Sequence, residues 1–265
     1  MNDMLQSIWR YRHFIISSIK SEIRIRFARS RLGALWMIIH PLAQAAIFAL
    51  VLGKLMSAKL PGITNIKFSY SIYLLSGMLA WSLFSEVITR CLTLFIDKGN
   101  LLKKILFPLI CLPLIVAGSS LFNNLLLLIS MIVVFGAFGH PLNTYMIWLL
   151  FFILITLMLA LSIGVILGIL NVFVRDIGQI VPIILQLGFW ATPIVYTPDV
   201  LPPSLRSLLP LNPMATLVHN FQNILLYNRA PDFFNLSYLI GIIFALCFFA
   251  FFLFRRAGAE MVDVL

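Results

Sequence analysis

From Ile105 to Val174 the chain carries no Asp, Glu, Lys or Arg. One membrane crossing takes about 20 apolar residues over about 30 Å, so this run is too long for a single span. Gly139-His140-Pro141-Leu142-Asn143 reads as a turn inside it. The run therefore predicts two helices, at about 107–137 and 143–174. Further uncharged runs predict spans at about 32–56, 68–90, 177–196 and 233–254. Barrel strands would alternate apolar and polar residues, and these runs do not. Of 265 residues, 62% are hydrophobic and 11% charged, against about 45–50% and about 25% in a soluble domain. Such a chain cannot cover itself with polar surface. The expected fold is all-α: a polytopic membrane protein of six transmembrane helices.

Six spans put both ends on one side, and the distribution of basic residues selects which. With the N-terminus inside, the cytoplasmic segments hold Arg10, Arg12, Lys20, Arg24, Arg26, Arg29, Arg31, Arg90, Lys98, Lys103, Lys104, Arg175, Arg255 and Arg256. The outer segments hold only Lys54, Lys59, Lys67, Arg206 and Arg229. Both termini are expected in the cytoplasm. The net charge of +10 thus follows topology and anionic lipid headgroups, and nucleic acid is not an expected partner. The basic region running to Arg31, followed by a segment long enough to span, does not fit a cleaved signal peptide.

Residues 1–31 form a region distinct from the transmembrane domain at 32–265. Met4, Ile8, Tyr11, Ile15, Ile19, Ile23 and Phe27 recur at helical spacing among basic and polar residues. The pattern predicts an amphipathic helix lying in the membrane interface, with a helix packed on a partner as the alternative. The segment 197–232 carries Pro198, Pro202, Pro203, Pro210 and Pro213 between apolar residues. It is too broken to span and too apolar for a free loop. Two short re-entrant helices on the outer side, breaking near Pro210 to Pro213, or a plain capping loop, both satisfy that composition. Small residues repeat every four positions at Ala45, Ala49 and Gly53, and at Ala160, Gly164 and Gly168, which allows close helix approach. Cys91, Cys111 and Cys247 have neither paired nor metal-type spacing and read as small apolar residues.

Most catalytic chemistry lacks its parts. No G-x-x-x-x-G-K-S/T phosphate loop is present, the four histidines are scattered, and no serine lies in G-x-S-x-G. A proton-coupled carrier would want several carboxylates along a path. Glu86 is the one acidic residue near the body of a predicted span, and Arg90 one turn later offers it an i,i+4 partner. A membrane-embedded transferase would want an acidic metal-binding pair, whereas Asp97 and Asp176 stand far apart. The chain is expected to be no enzyme and to hold no cofactor or metal.

Four short motifs run in order. The first is Arg24-Ile25-Arg26-Phe27 with Arg31-Leu32-Gly33-Ala34-Leu35-Trp36 and then Pro41. The second is Asn100-Leu101-Leu102-Lys103-Lys104-Ile105-Leu106-Phe107-Pro108. The third is Arg175-Asp176-Ile177 with Thr192-Pro193-Ile194-Val195-Tyr196, and the fourth Leu211-Asn212-Pro213. In this order and topology they resemble the membrane subunits of bacterial ABC-2 type polysaccharide exporters. The lipopolysaccharide O-antigen permeases are the nearest match, and the capsule and teichoic-acid permeases are near relatives. A permease for a drug or small lipid would share the topology without the basic R-x-R-F segment or the proline-rich outer block.

The resemblance implies a homodimer in the bacterial inner membrane, working with two copies of a separate ATPase subunit that binds ATP and Mg. It implies export of an undecaprenyl-linked polysaccharide from the cytoplasmic to the periplasmic side. The missing phosphate loop agrees, since the motor must then come from another chain. In such permeases the loop after the second span, here about 91–106, docks on the ATPase. By position this assigns ATPase contact to Asp97, Lys98, Asn100, Lys103 and Lys104; ordinary positive-inside anchoring also accounts for the lysines. The family's path lies between the first and fifth spans of the two subunits, which makes Trp36, Phe48, Phe189, Trp190 and Tyr196 candidates for its lining. Aromatic faces stack on sugar C–H surfaces without fixing a register, though lipid and core also take aromatics. Arg24, Arg26, Arg29 and Arg31 lie where a lipid-pyrophosphate headgroup would arrive. Guanidinium forks suit its oxygens, as they also suit ordinary anionic lipids.

Overall fold

Helices in lipid gain nothing from hiding apolar surface, so close packing and interhelical hydrogen bonds decide which faces meet. The computed structural model describes residues 9–28, 35–36, 39, 43, 69–99, 108–137, 143–232 and 236–264. The long elements among them are α1 (Arg12–Ala28), α2 (Ser69–Asp97), α3 (Cys111–Ala137), α4 (Trp148–Phe173), α5 (Ile177–Ala191), α6 (Pro213–Leu225) and α7 (Leu236–Val264). No strand occurs among the described residues.

α2 is the centre of the bundle. Leu74, Leu79, Leu83, Val87, Ile88, Cys91 and Phe95 along it are almost fully buried. Its largest contact is with α4, which packs on α7 by its other side; α3 and α6 cover further faces of α2. The stripe Ala160, Gly164 and Gly168 is what lets α4 approach. A Cβ on Gly164 would lie 2.9 Å from the Cβ of Cys91, and one on Gly168 would run into the Cys91 carbonyl oxygen. Hydrogen bonds tie the same contacts: Asn171 Nδ2 donates to the Leu92 carbonyl at 2.8 Å and Asn124 Nδ2 to that of Leu79 at 2.9 Å. Cys91, Cys111 and Cys247 are free thiols.

Among the described residues, four helical stretches are long and apolar enough to cross a membrane: Ser69–Asp97, Cys111–Gly136, Thr144–Phe173 and Leu236–Gly258. They correspond to the second, third, fourth and sixth predicted spans. Of the predicted turn only Asn143 is among the described residues; it caps the next helical stretch by accepting from the Tyr145 amide. The fifth predicted span, 177–196, is helical only to Ala191. Its 15 residues rise about 22 Å, short of the roughly 30 Å hydrocarbon core. Most of the first predicted span lies outside the described residues, as do Ala45, Ala49 and Gly53; Leu35, Trp36, Ile39 and Ala43 are helical.

Two helices run past their predicted ends. α2 continues from Arg90 through Asp97 because Cys91, Leu92, Leu94 and Phe95 remain buried. The predicted loop at 91–106 therefore opens with two more turns of helix. α7 continues beyond 254 to Val264, with Ala257 and Met261 buried while Arg255 and Arg256 face outward. The segment 197–232 is broken between Leu211 and Pro213, inside the expected Pro210 to Pro213 window, with helical pieces of unequal length on the two sides. Short 3-10 turns at Pro198–Val200 and Leu209–Leu211 and one turn of α-helix at Pro203–Arg206 precede Asn212, and a longer helix, α6, follows. α6 buries Leu217, Val218, Phe221 and Leu225 against α2 and α4, so it belongs to the body of the bundle.

α1 lies along α3. Tyr11, Ile15 and Ile19 meet Ile110, Cys111, Leu114 and Ile115, and Gly118 gives Ile19 the room it occupies. The predicted stripe is thus partly used within the chain, while Trp9, Phe14, Ile16 and Ile25 remain exposed.

Replacing Gly168 with Leu should force α2 and α4 apart at Cys91. Overpacking of this kind costs about 1–3 kcal/mol, read as a lower melting temperature of the detergent-solubilised protein; an unchanged transition would contradict the close crossing.

Candidate functional site

Backbone that leaves a helix at membrane depth must find partners inside the protein. Thr192-Pro193-Ile194-Val195-Tyr196, which ends α5, does so by borrowing side chains from two other helices. Tyr70 Oη on α2 donates to the Val195 carbonyl at 2.9 Å. Tyr73 Oη lies 3.0 Å from the Pro193 carbonyl and 2.8 Å from that of Tyr196; its single proton serves one or the other at a time. Gln222 Nε2 on α6 donates to the Pro193 carbonyl at 3.0 Å. Thr192 Oγ1 donates back to the Gly188 carbonyl at 2.8 Å and accepts from Asn212 Nδ2 at 3.1 Å. Asn212 in turn caps α6 through Oδ1, which accepts from the Met214 amide at 3.0 Å, with Pro213 at the first helical position. Two motifs twenty residues apart in sequence are therefore one hydrogen-bonded unit.

This unit holds the aromatic end of α5. Phe189 packs edge-on against Trp81, with centroids 5.8 Å apart, and against Trp190 at 5.6 Å. Tyr196 Oη donates to the Trp190 carbonyl at 2.8 Å. Phe189, Trp190 and Tyr196 are thereby gathered at one end of α5. Phe189 is wedged between helices, whereas Trp190 is 52% exposed. Trp36 is also exposed, and Phe48 lies outside the described residues. Ile180, Ile183, Ile184, Leu187 and Trp190 form one outward face of α5, and Val181 is its single buried residue.

At the other end of α2 is an ionic cluster. Arg90 reaches Glu22 of α1 at 2.5 Å and Glu86 at 3.6 Å. It also donates to Ser119 and Ser120 of α3 at 2.8 and 3.0 Å. Ser119 Oγ donates to Glu22 Oε2 at 2.9 Å, and Asn123 Nδ2 to Glu86 Oε1 at 3.0 Å. The i,i+4 pair read from the sequence is present, but Glu22 is the nearer carboxylate. Its share had no local signal, because 68 residues separate it from Arg90. The cluster fixes α1 to the helix that ends in Asp97 and Lys98.

The remaining predicted residues are less connected. Asp97 and Lys98 are exposed at the C-terminal end of α2; Asn100, Lys103 and Lys104 lie outside the described residues. Arg24 is exposed on α1, Arg26 lies on the same helix, and Arg29 and Arg31 lie outside the described residues. Among the described residues no group of His, Cys, Asp and Glu could hold a metal ion.

Residues 14–226 match the ABC-2 type transporter family. The chain belongs to that family, as a membrane transport subunit. It is 31% identical over 231 residues to the O-antigen export system permease protein RfbA of Myxococcus xanthus, covering 86% of each chain. An RfbA of Klebsiella pneumoniae is 26% identical, with 84% of each chain covered. The polysialic acid transport protein KpsM of Escherichia coli is 23% identical over 91% of this chain and 92% of its own.

Three substitutions test the geometry. Tyr73→Phe keeps the ring but leaves buried carbonyls short of a donor, at about 1–3 kcal/mol; thermal unfolding should drop, and proteolysis should become easier around Tyr196. Arg90→Met leaves Glu22 and Glu86 without their shared cation and should destabilise more than Glu22→Gln, measured in parallel melts.

Proposed function

We propose that this chain is the membrane subunit of an ATP-driven exporter that moves an undecaprenyl-linked polysaccharide of O-antigen type from the cytoplasmic to the periplasmic side of the bacterial inner membrane. Two copies of the chain form the channel, and two copies of a separate subunit bind and hydrolyse ATP with Mg. Six spans cross the membrane with both termini in the cytoplasm. The first, outside most of the described residues, joins α5 at the dimer centre. α6 and the turns before it are re-entrant structure on the outer side, and residues 1–31 lie in the interface on the cytoplasmic side.

The observation that carries this reading is the outward face of α5. A helix in a six-span subunit that leaves five large apolar side chains uncovered, ends in Trp190, and is firmly anchored beyond it has the properties of a path wall. Apolar and aromatic surface gives a sliding sugar chain contact without fixed register. The likeness over most of its length to two permeases named for O-antigen export supports a polysaccharide of that type as the cargo. The likeness to KpsM makes a capsular polysaccharide the alternative cargo.

In this mechanism Arg24, Arg26, Arg29 and Arg31 receive the lipid pyrophosphate through paired guanidinium hydrogen bonds. Trp36, Phe48, Phe189, Trp190 and Tyr196 line or border the path. Asp97, Lys98, Asn100, Lys103 and Lys104 contact the ATPase, whose ATP-bound state must bind one arrangement of the dimer better than the other. Arg90 carries the motion sideways, because it links α1 and α3 to the same α2.

Deleting the gene should remove the long-chain surface glycan and leave its lipid-linked precursor inside the cell, as read by glycan staining of whole cells and spheroplasts. Trp190→Ala should lower export several-fold while the folded dimer still assembles with its ATPase. Charge reversal at Arg26 and Arg29 should abolish substrate stimulation of ATP hydrolysis by the assembled complex. Full surface glycan in the deletion strain would end the reading.

A further inference from the structure

α2 runs about 36 Å from Tyr73 to Asp97 at 1.5 Å per residue. At the Tyr73 end, away from the Arg90 cluster, a cleft of about 420 Å³ opens between the turn after α5 and the chain reversal that ends α6. Its size is that of a small-ligand site.

One rim is the Asp199–Arg206 ion pair, with Nη2 and Oδ1 2.9 Å apart and both side chains largely exposed. The opposite rim is Tyr227, with the Arg229 guanidinium 5.7 Å from its ring centroid. This second rim is built by the backbone. The Tyr227 amide donates to the Gln222 carbonyl at 3.3 Å and the Arg229 amide to that of Asn223 at 3.0 Å. Asn228 between them takes a left-handed φ of 50°, a region in which asparagine is enriched.

Polar capacity is left over inside. Thr197 lines the cleft and is 4% exposed, and its Oγ1 has no hydrogen-bond partner among the described residues. Tyr73 and Gln222 also line it, but their polar atoms are committed to the Pro193 and Tyr196 carbonyls. Asn223 offers an amide that makes no hydrogen bond to a described residue. His219 is on the exposed rim, yet the protein around its ring lowers its pKa from the ordinary value, with Asp232 opposing. It therefore enters as a neutral imidazole, able to donate and to accept.

Few ligand classes match this lining. An acyl chain or apolar drug would desolvate the Asp199–Arg206 pair and the Arg229 guanidinium and would leave Thr197 Oγ1 without a partner. A doubly charged phosphate would meet the Asp199 carboxylate. A pyranose ring presents a flat C–H face to an aromatic ring and hydroxyls, both donor and acceptor, around its edge. Tyr227 supplies the aromatic face; Asp199, Arg206, Asn223 and His219 supply acceptors and donors at several angles.

We propose that this cleft binds one or two pyranose units of a glycan, at the end of the bundle where the polymer emerges. The emergence side and the glycan rest on the export reading above; the binding chemistry does not. The site would hold the leading sugars as they clear the dimer and so resist backsliding.

The test uses the full chain in lipid nanodiscs. The probe is the delipidated polysaccharide released by mild acid from the strain that carries the gene. Saturation-transfer NMR should show transfer to the glycan ring protons, lost at least tenfold in Tyr227→Ala and in Asn223→Ala and retained in Tyr227→Trp. If Tyr227→Ala does not fold, Asn223→Ala and Arg229→Ala, both at the surface of the cleft, carry the comparison, with melting temperature as the folding control. No transfer to wild type, or wild-type transfer in the folded variants, overturns the site. Loss of surface glycan in the deletion strain without cleft-dependent transfer sinks this inference and leaves the export reading standing. Persistent surface glycan with cleft-dependent transfer sinks the export reading and leaves the site.

Discussion

Five residues after α5 carry backbone that no helix satisfies, and the arrangement of this protein follows from how Thr192 to Tyr196 find their partners. In water such a segment would be solvated and free to move. Deep in an apolar bundle each unpaired carbonyl costs several kcal/mol, so α2 brings Tyr70 and Tyr73 and α6 brings Gln222 to meet them. The position of α6 follows. Gly77 on α2 is the close neighbour of Ile194, Gln222 and Val218, with a Cβ there 3.1 to 3.3 Å from each. A side chain at position 77 would separate the three elements that the hydrogen bonds join.

The same helix organises both ends of the molecule. Its start satisfies the broken backbone and floors the cleft at Thr197, while its last turns carry Arg90 and then Asp97 and Lys98. Its middle is held to α4 by a crossing with no room for a Cβ at Gly168. A displacement at the Asp97 end therefore cannot be absorbed along α2, because its middle is close-packed and packed interiors transmit strain.

The Arg90 cluster shows how a charge is carried in an apolar bundle. Two carboxylates, two hydroxyls and an amide share one guanidinium and each other. Arg90 alone in the sequence looks like a span terminus, and the predicted end at 90 followed from that. With Glu22 and Glu86 present it is compatible with helix on both sides, and α2 continues until Asp97 and Lys98 reach the exposed end.

Sequence alone determined what depends on local composition and period. The uncharged runs located the helices now seen as α2, α3, α4 and α7, because length and hydropathy are properties of a segment by itself. The small-residue stripe Ala160, Gly164 and Gly168 was equally legible, being a local pattern with one geometric meaning. The order of motifs was enough to indicate the family. Tertiary structure decided the rest, because it depended on partners far along the chain. Glu22 is 68 residues from Arg90, and Tyr73 is 120 from Pro193; no periodicity announces such pairs. The longer helix of the proline-rich block is placed by Gln222, which reaches back to the Pro193 carbonyl, and by Asn212, which caps it and bonds Thr192. The exposed face of α5 was hidden for the same reason: most residues on it are apolar, and only packing shows which apolar residues have no neighbour.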